Sequence, residues 1–173
     1  MTYKAVDRTK VDVEARKQLL LSLFTTAVEG GIGHWSECSE YSWMLNHDEP
    51  AEMPVEDLDG FRAVLHPSDP EEAWGVFDGG DDEQPLTVDK AVIERGLARW
   101  IEWMTTDRRN HVGGIVDADS SWKWQRESYS PTNSYWRQFA SDAKFNRFED
   151  IDFDADIADA VVQLGLFDEV VFG

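Results

Sequence analysis

A change of period across a double glycine constrains this chain more than any other feature. Before it, Leu20, Leu23, Phe24, Ala27 and Val28 recur at helical spacing, which predicts an amphipathic helix over about Val11–Val28. Asp12 and Glu14 stand near its start, where the helix dipole favours anions. Gly30 and Gly31 come after the last periodic residue, where a left-handed C-terminal cap is expected. The next stretch, HWSECSEYSWM, switches to a period of two. Trp35, Glu37, Ser39, Tyr41 and Trp43 would share one strand face, with the large aromatics packed on the first helix. A chain that passes so quickly from helix to strand must lay a sheet against helices.

The remaining segments fit that scheme. FRAVLH and EAWGVFD read as strands two and three, separated by the turn-forming PSDP, which predicts antiparallel pairing. A second helix is expected over Thr87–Met104, with Thr87 as its N-cap and Ile93, Leu97, Trp100, Ile101 and Met104 facing the core. Gly96 inside it marks close packing, since glycine there costs up to about 1 kcal/mol relative to alanine. Two further helices are expected over Ser134–Phe148 and within Asp154–Leu164, and the final LFDEVVFG reads as a short strand. The predicted fold class is α+β: residues 1–173 form one domain, a small antiparallel sheet of about three to four strands packed against about four helices.

Charge narrows the function. The chain carries 35 acidic and 16 basic residues, a net −19. Residues 108–148 hold seven Lys or Arg against four acids, so this segment is +3 and the rest −22. A field of that sign opposes duplex DNA and attracts a basic partner. Asp57, Asp59, Glu71, Glu72, Asp78, Asp81 and Asp82 are the expected acidic surface. High-salt adaptation gives the same bias. Within the irregular aromatic and basic segment 105–133 and the helix after it, Trp122, Trp124, Arg126, Tyr135, Trp136 and Arg137 interleave rings with cations. That pattern suits a protein interface or a stacked small nucleotide, and equally a loop whose rings cap the core.

Other chemistries find less support. His34 and Cys38 could share a strand face, but no paired zinc motif accompanies them. Asp117 with Asp119, and Asp152, Asp154 and Asp156, are spaced as cation ligands are, yet the second set better serves the start of the last helix. No nucleophile motif surrounds a serine or the single Cys38, so no catalytic residue, metal or cofactor is assigned. A lone cysteine forms no internal disulfide, MTYKAVDRTKVDVEARK lacks an apolar leader core, and no run approaches the roughly 18 apolar residues that span a bilayer. The expectation is a cytoplasmic protein that does not enter a membrane, with the oligomeric state left open. Glu29, His34 and Glu37 form a further edge that a ligand could reach.

TTAVEGGIGHWSECSEYSW, LTVDKAVIERGL and DADIADAVVQLGLFDEVVFG, in that order and covering roughly a third of the chain, resemble a family of small accessory proteins of tailed bacteriophages and prophages. The family has no established activity, so the resemblance implies a viral setting and transfers no site residue. Charge and setting together imply an acidic accessory protein of the host-cell cytoplasm. It would bind and modulate a host protein with a basic surface, as a counter-defence inhibitor or in the manner of a DNA mimic. Sequestering a small nucleotide is the alternative.

Overall fold

A computed structural model describes residues 12–41, 60–68, 85–105, 133–148 and 151–172. Helix α1 spans Val13–Thr26, and the Asp12 carboxylate caps it by accepting from the Ala15 N–H at 3.1 Å. Its buried side includes Leu19, Leu20, Leu23 and Phe24, with Phe24 stacked on Phe61 at 4.6 Å. The helix does not end on a left-handed glycine. It widens into a π-helical turn, Ala27–Gly31, and then tightens into a 3-10 turn, Ile32–His34. Gly31 has φ −105°. It is needed for space: a Cβ there would lie 2.9 Å from both the Ala155 carbonyl oxygen and the Asp159 Cβ.

Strand β1, Ser36–Tyr41, pairs antiparallel with β2, Arg62–Pro67, which pairs antiparallel with β3, Leu86–Asp89. The order is β1-β2-β3. A bulge between Cys38 and Glu40 breaks the expected alternation, and Glu37 through Glu40 are all exposed. Trp35 precedes the strand in the turn, and Tyr41 alone of the described rings on this strand meets α1, 5.5 Å from Phe24. Trp43 and the expected strand EAWGVFD lie outside the described residues.

β3 occupies the place expected for the first turn of the second helix. Leu86, Thr87 and Val88 satisfy their backbone in the ladder opposite Leu65, Val64 and Ala63, and Val88 is fully buried. Helix α2, Lys90–Thr105, therefore starts after Asp89, whose carboxylate accepts from the Val92 N–H at 3.0 Å. Thr87 caps nothing. Of the predicted stripe, Ile93, Leu97, Trp100 and Met104 are buried and Ile101 packs against the core from its edge.

Helix α3, Ser134–Lys144, is capped by Asn133 and ends one turn earlier than expected, with Asn146 just beyond it at φ 55°. Helix α4, Ala155–Phe167, is capped by Asp154, which accepts from the Ile157 N–H at 3.0 Å. Every residue from Ile157 to Gly165 is buried, so α4 is the central element, covered on all sides. It runs past Leu164, and the segment beyond it is not the expected strand: Asp168 turns left-handed and residues 169–172 lie against the core without a ladder. These elements make an α+β fold, with four α-helices and a three-stranded antiparallel sheet among the described residues.

Candidate functional site

The π turn brings the start of α4 against the turn that precedes β1, and polar groups meet there. Asp159 is buried. Its Oδ1 accepts from the Trp35 indole N–H at 2.8 Å, and its Oδ2 accepts from the Gln163 Nε2 at 2.8 Å. Gln163, also fully buried, uses every remaining polar position on the segment after α4. Its Oε1 accepts from the Val171 and Phe172 N–H groups at 2.7 Å each, and its Nε2 also donates to the Phe172 carbonyl at 2.8 Å. Trp35 completes the enclosure: its ring stacks on Phe172 at 5.0 Å and 5°, and meets Phe167 edge-on.

His34 borders this buried group from the solvent side, with about half its side chain exposed. Its Nδ1 lies 2.8 Å from the Gly31 carbonyl, an acceptor, so Nδ1 carries hydrogen and Nε2 faces Asp159 Oδ2 at 4.0 Å. Burial pushes the Asp159 carboxyl up to about 6, against the opposing pull of the Trp35 bond, His34 and Gln163, with Asp156 adding to the rise. An imidazole backed by a protonatable carboxyl can hold and pass a proton. The neighbouring hydroxyl, Ser36, is buried and donates to the Ile32 carbonyl at 3.2 Å instead. On the bulge, Ser39 Oγ meets His66 Nε2 at 2.8 Å as an exposed cross-strand pair, and Cys38 donates to the Glu40 carbonyl, its thiol raised by burial. Among the described residues, no three His, Cys, Asp or Glu side chains converge as metal ligands.

The outer surface here is acidic. Glu29, Glu37, Glu40, Asp152, Asp154 and Asp156 are exposed on the π turn, on β1 and around the start of α4. Tyr41 donates to Glu29 at 3.4 Å, and its phenol is raised first by burial and then by that carboxylate. Residues 18–41 and 151–172 contain no Lys or Arg, so His34 is the basic side chain of these two stretches. Among the described residues, some of the cations lie on α2. On α2, Arg95 donates to the Gly165 carbonyl at 2.9 Å and Arg99 grips Asp168 and Glu102, beside a depression of about 490 Å³.

Of the residues singled out in the sequence, Trp122, Trp124, Arg126, Asp57, Asp59, Glu71, Glu72, Asp78, Asp81 and Asp82 lie outside the described residues. Tyr135 and Trp136 rest against the core, Trp136 edge-on to Trp100 at 6.2 Å, while Arg137 is exposed. Glu29 and His34 belong to the assembled site, and Glu37 lies next to it on β1. Sequence reasoning misses Asp159 and Gln163. Their signal is two polar residues four apart in the otherwise apolar run IADAVVQLGL, the spacing that puts them on one helix face.

Compared with known proteins, the chain matches no family model. No curated protein and no solved structure matches it either.

Proposed function

We propose that this protein acts by binding, and that the acidic end formed by the π turn, β1 and the start of α4 recognises a basic protein surface. The observation that carries the reading is the segregation of charge. Two stretches distant in sequence, both without Lys or Arg, are brought together where Gly31 meets Ala155, and their exposed ionised side chains are carboxylates. Such a surface steers a cationic partner into contact and repels polyanions. In the setting implied by the phage resemblance, the partner is a host protein in the host cytoplasm, and a protein that itself holds nucleic acid offers the required basic surface. Modulating that protein is the counter-defence role this reading assigns.

The test is capture of partners from host lysate on the immobilised chain, compared with a Glu29→Lys, Glu37→Lys, Asp156→Lys variant. These three residues lie outside the core, so the variant keeps the fold. The expected result is a polypeptide retained by the parent at low salt, and lost both in the variant and at ~0.5 M salt, where screening acts over a few ångströms. Retention of the same polypeptide by parent and variant alike at both salt levels would remove the acidic end from the recognition.

A further inference from the structure

The bulge in β1 re-aims a hydroxyl. The ladder runs from Cys38, opposite Leu65, directly to Glu40, opposite Val64, so Ser39 is the extra residue with no partner of its own in the register. Glu37 stands opposite His66, which puts both on one face of the sheet. The displaced Ser39 reaches that imidazole. Its Oγ lies 2.8 Å from His66 Nε2, while its other acceptor, the Val64 carbonyl, is farther off at 3.4 Å. Two residues 27 apart in sequence thus make a hydroxyl–imidazole pair that solvent reaches.

We propose that Ser39 and His66 form a nucleophile–base pair that transfers acyl groups from activated esters to water, with a preference for positively charged esters. A serine hydroxyl is a weak nucleophile until a base takes its proton, and a neutral imidazole within hydrogen-bond reach is suited to that task. Ser39 Oγ bonds to the ester carbonyl carbon as its proton passes to His66 Nε2. The bond from that carbon to the alcohol oxygen then breaks, and the alcohol leaves with the proton from Nε2. Water adds to the acyl-serine in the same way, giving a proton to Nε2. That proton returns to Ser39 Oγ as its bond to the acyl carbon breaks. Ester and water become acid and alcohol, and the protein ends as it began.

Charge sets the class of ester. Glu37 opposite the imidazole and Glu40 beside the serine are exposed carboxylates, and the cation of these two strands, Arg62, stands at the far end of β2 opposite Asp89. A cationic acyl chain is attracted there and an anionic one repelled. The neighbouring Cys38 does not compete: its thiol donates to the Glu40 carbonyl, and burial keeps it in the less reactive protonated form. The activity needs the hydroxyl and the imidazole, so it stands or falls apart from the recognition of a basic protein.

The experiment follows p-nitrophenolate release by the full chain at low salt. Two p-nitrophenyl esters are compared, one with an acyl chain ending in trimethylammonium and one ending in carboxylate. The parent is expected to cleave the cationic ester at least about tenfold faster than Ser39→Ala and His66→Gln do. These changes remove an exposed hydroxyl and a half-buried ring outside the core, so both variants keep the fold. The parent should cleave the anionic ester roughly threefold or more slower than the cationic one. Mass spectrometry after acid quenching should place the acyl group on Ser39. A rate unchanged in either variant, or an acyl group on Cys38 or a lysine in place of Ser39, would overturn the pair. Equal rates on the two esters would overturn the assigned substrate class.

Discussion

The two sides of α4 are built by opposite means. Toward α2, the helix is stripped of atoms: a Cβ on Gly165 would run into the Val92 carbonyl, and a Cβ on Gly96 would run into the Val161 carbonyl. The two backbones touch through reciprocal glycine notches, where the contact is dispersion and close packing, with the Arg95 guanidinium bonded to the Gly165 carbonyl at its edge. About half a turn away, atoms are added instead. Asp159 and Gln163 carry polar groups into a fully buried position and satisfy them against Trp35 and the segment after α4. A dry notch is indifferent to pH and intolerant of volume. A buried polar network tolerates little loss of partners and responds to protons. One helix thus supplies both the anchor of the fold and its titratable part.

Filling the notch should do the most damage. Gly96→Val or Gly165→Val must push two helix backbones apart, and is expected to cost at least about 3 kcal/mol, read as a lowered melting temperature or loss of soluble protein. A wild-type melting temperature for either variant would break the comparison at its first half.

The second effect is pH dependence. The folded-state Asp159 carboxyl is raised from 3.8 to about 6, so the folded protein keeps a proton that the unfolded chain has already lost. The stability from this group is fully present below about pH 3.8 and declines by about 3 kcal/mol as pH rises to about 6. Denaturant melts across that interval, in parent and Asp159→Asn, should show a slope in the first that is flattened in the second.

Gln163→Met keeps the volume but leaves the Val171 and Phe172 N–H groups and the Phe172 carbonyl without their partner. Its expected cost is about 2 kcal/mol, concentrated in the segment after α4 and visible as lost amide protection there while α2 keeps its own. Trp35→Phe is the mildest change. It retains a ring for Phe172 but removes the N–H to Asp159 and part of a buried ring, at about 1–2 kcal/mol by the same melts. If Gln163→Met weakened α2 and the segment after α4 equally, the two faces would be one cooperative unit and the contrast would fail.

The sequence displays the glycine-notched face better than the polar one. Gly96 inside a helical stripe announces close packing, and α2 buries that stripe as read. Gly30 and Gly31 mimic a left-handed cap because a missing Cβ serves a close approach as well as a positive φ, and only the position of α4 distinguishes them. β3 hides under a helical pattern because Leu86–Asp89 is short and its pairing to β2 is a tertiary contact. The terminal strand fails for the converse reason. Val170, Val171 and Phe172 have strand-like composition, but the Val171 and Phe172 N–H groups donate to a side chain, Gln163. Asp159 and Gln163 look like ordinary polar residues of a half-exposed helix, since burial on all sides of α4 depends on elements far away in the chain. Acidity is legible throughout, while its concentration at one end depends on the meeting of residues 18–41 with 151–172.

A carboxyl-carbon NMR titration of Asp159 in the intact folded chain tests the buried titratable network most directly, with the Trp35 indole N–H followed in the same samples. The expected midpoint is near 6, with the indole resonance moving in step because its acceptor is that carboxylate. A midpoint at or below the ordinary 3.8, or an indole that ignores the titration, would contradict a protonatable carboxyl at the centre of this fold.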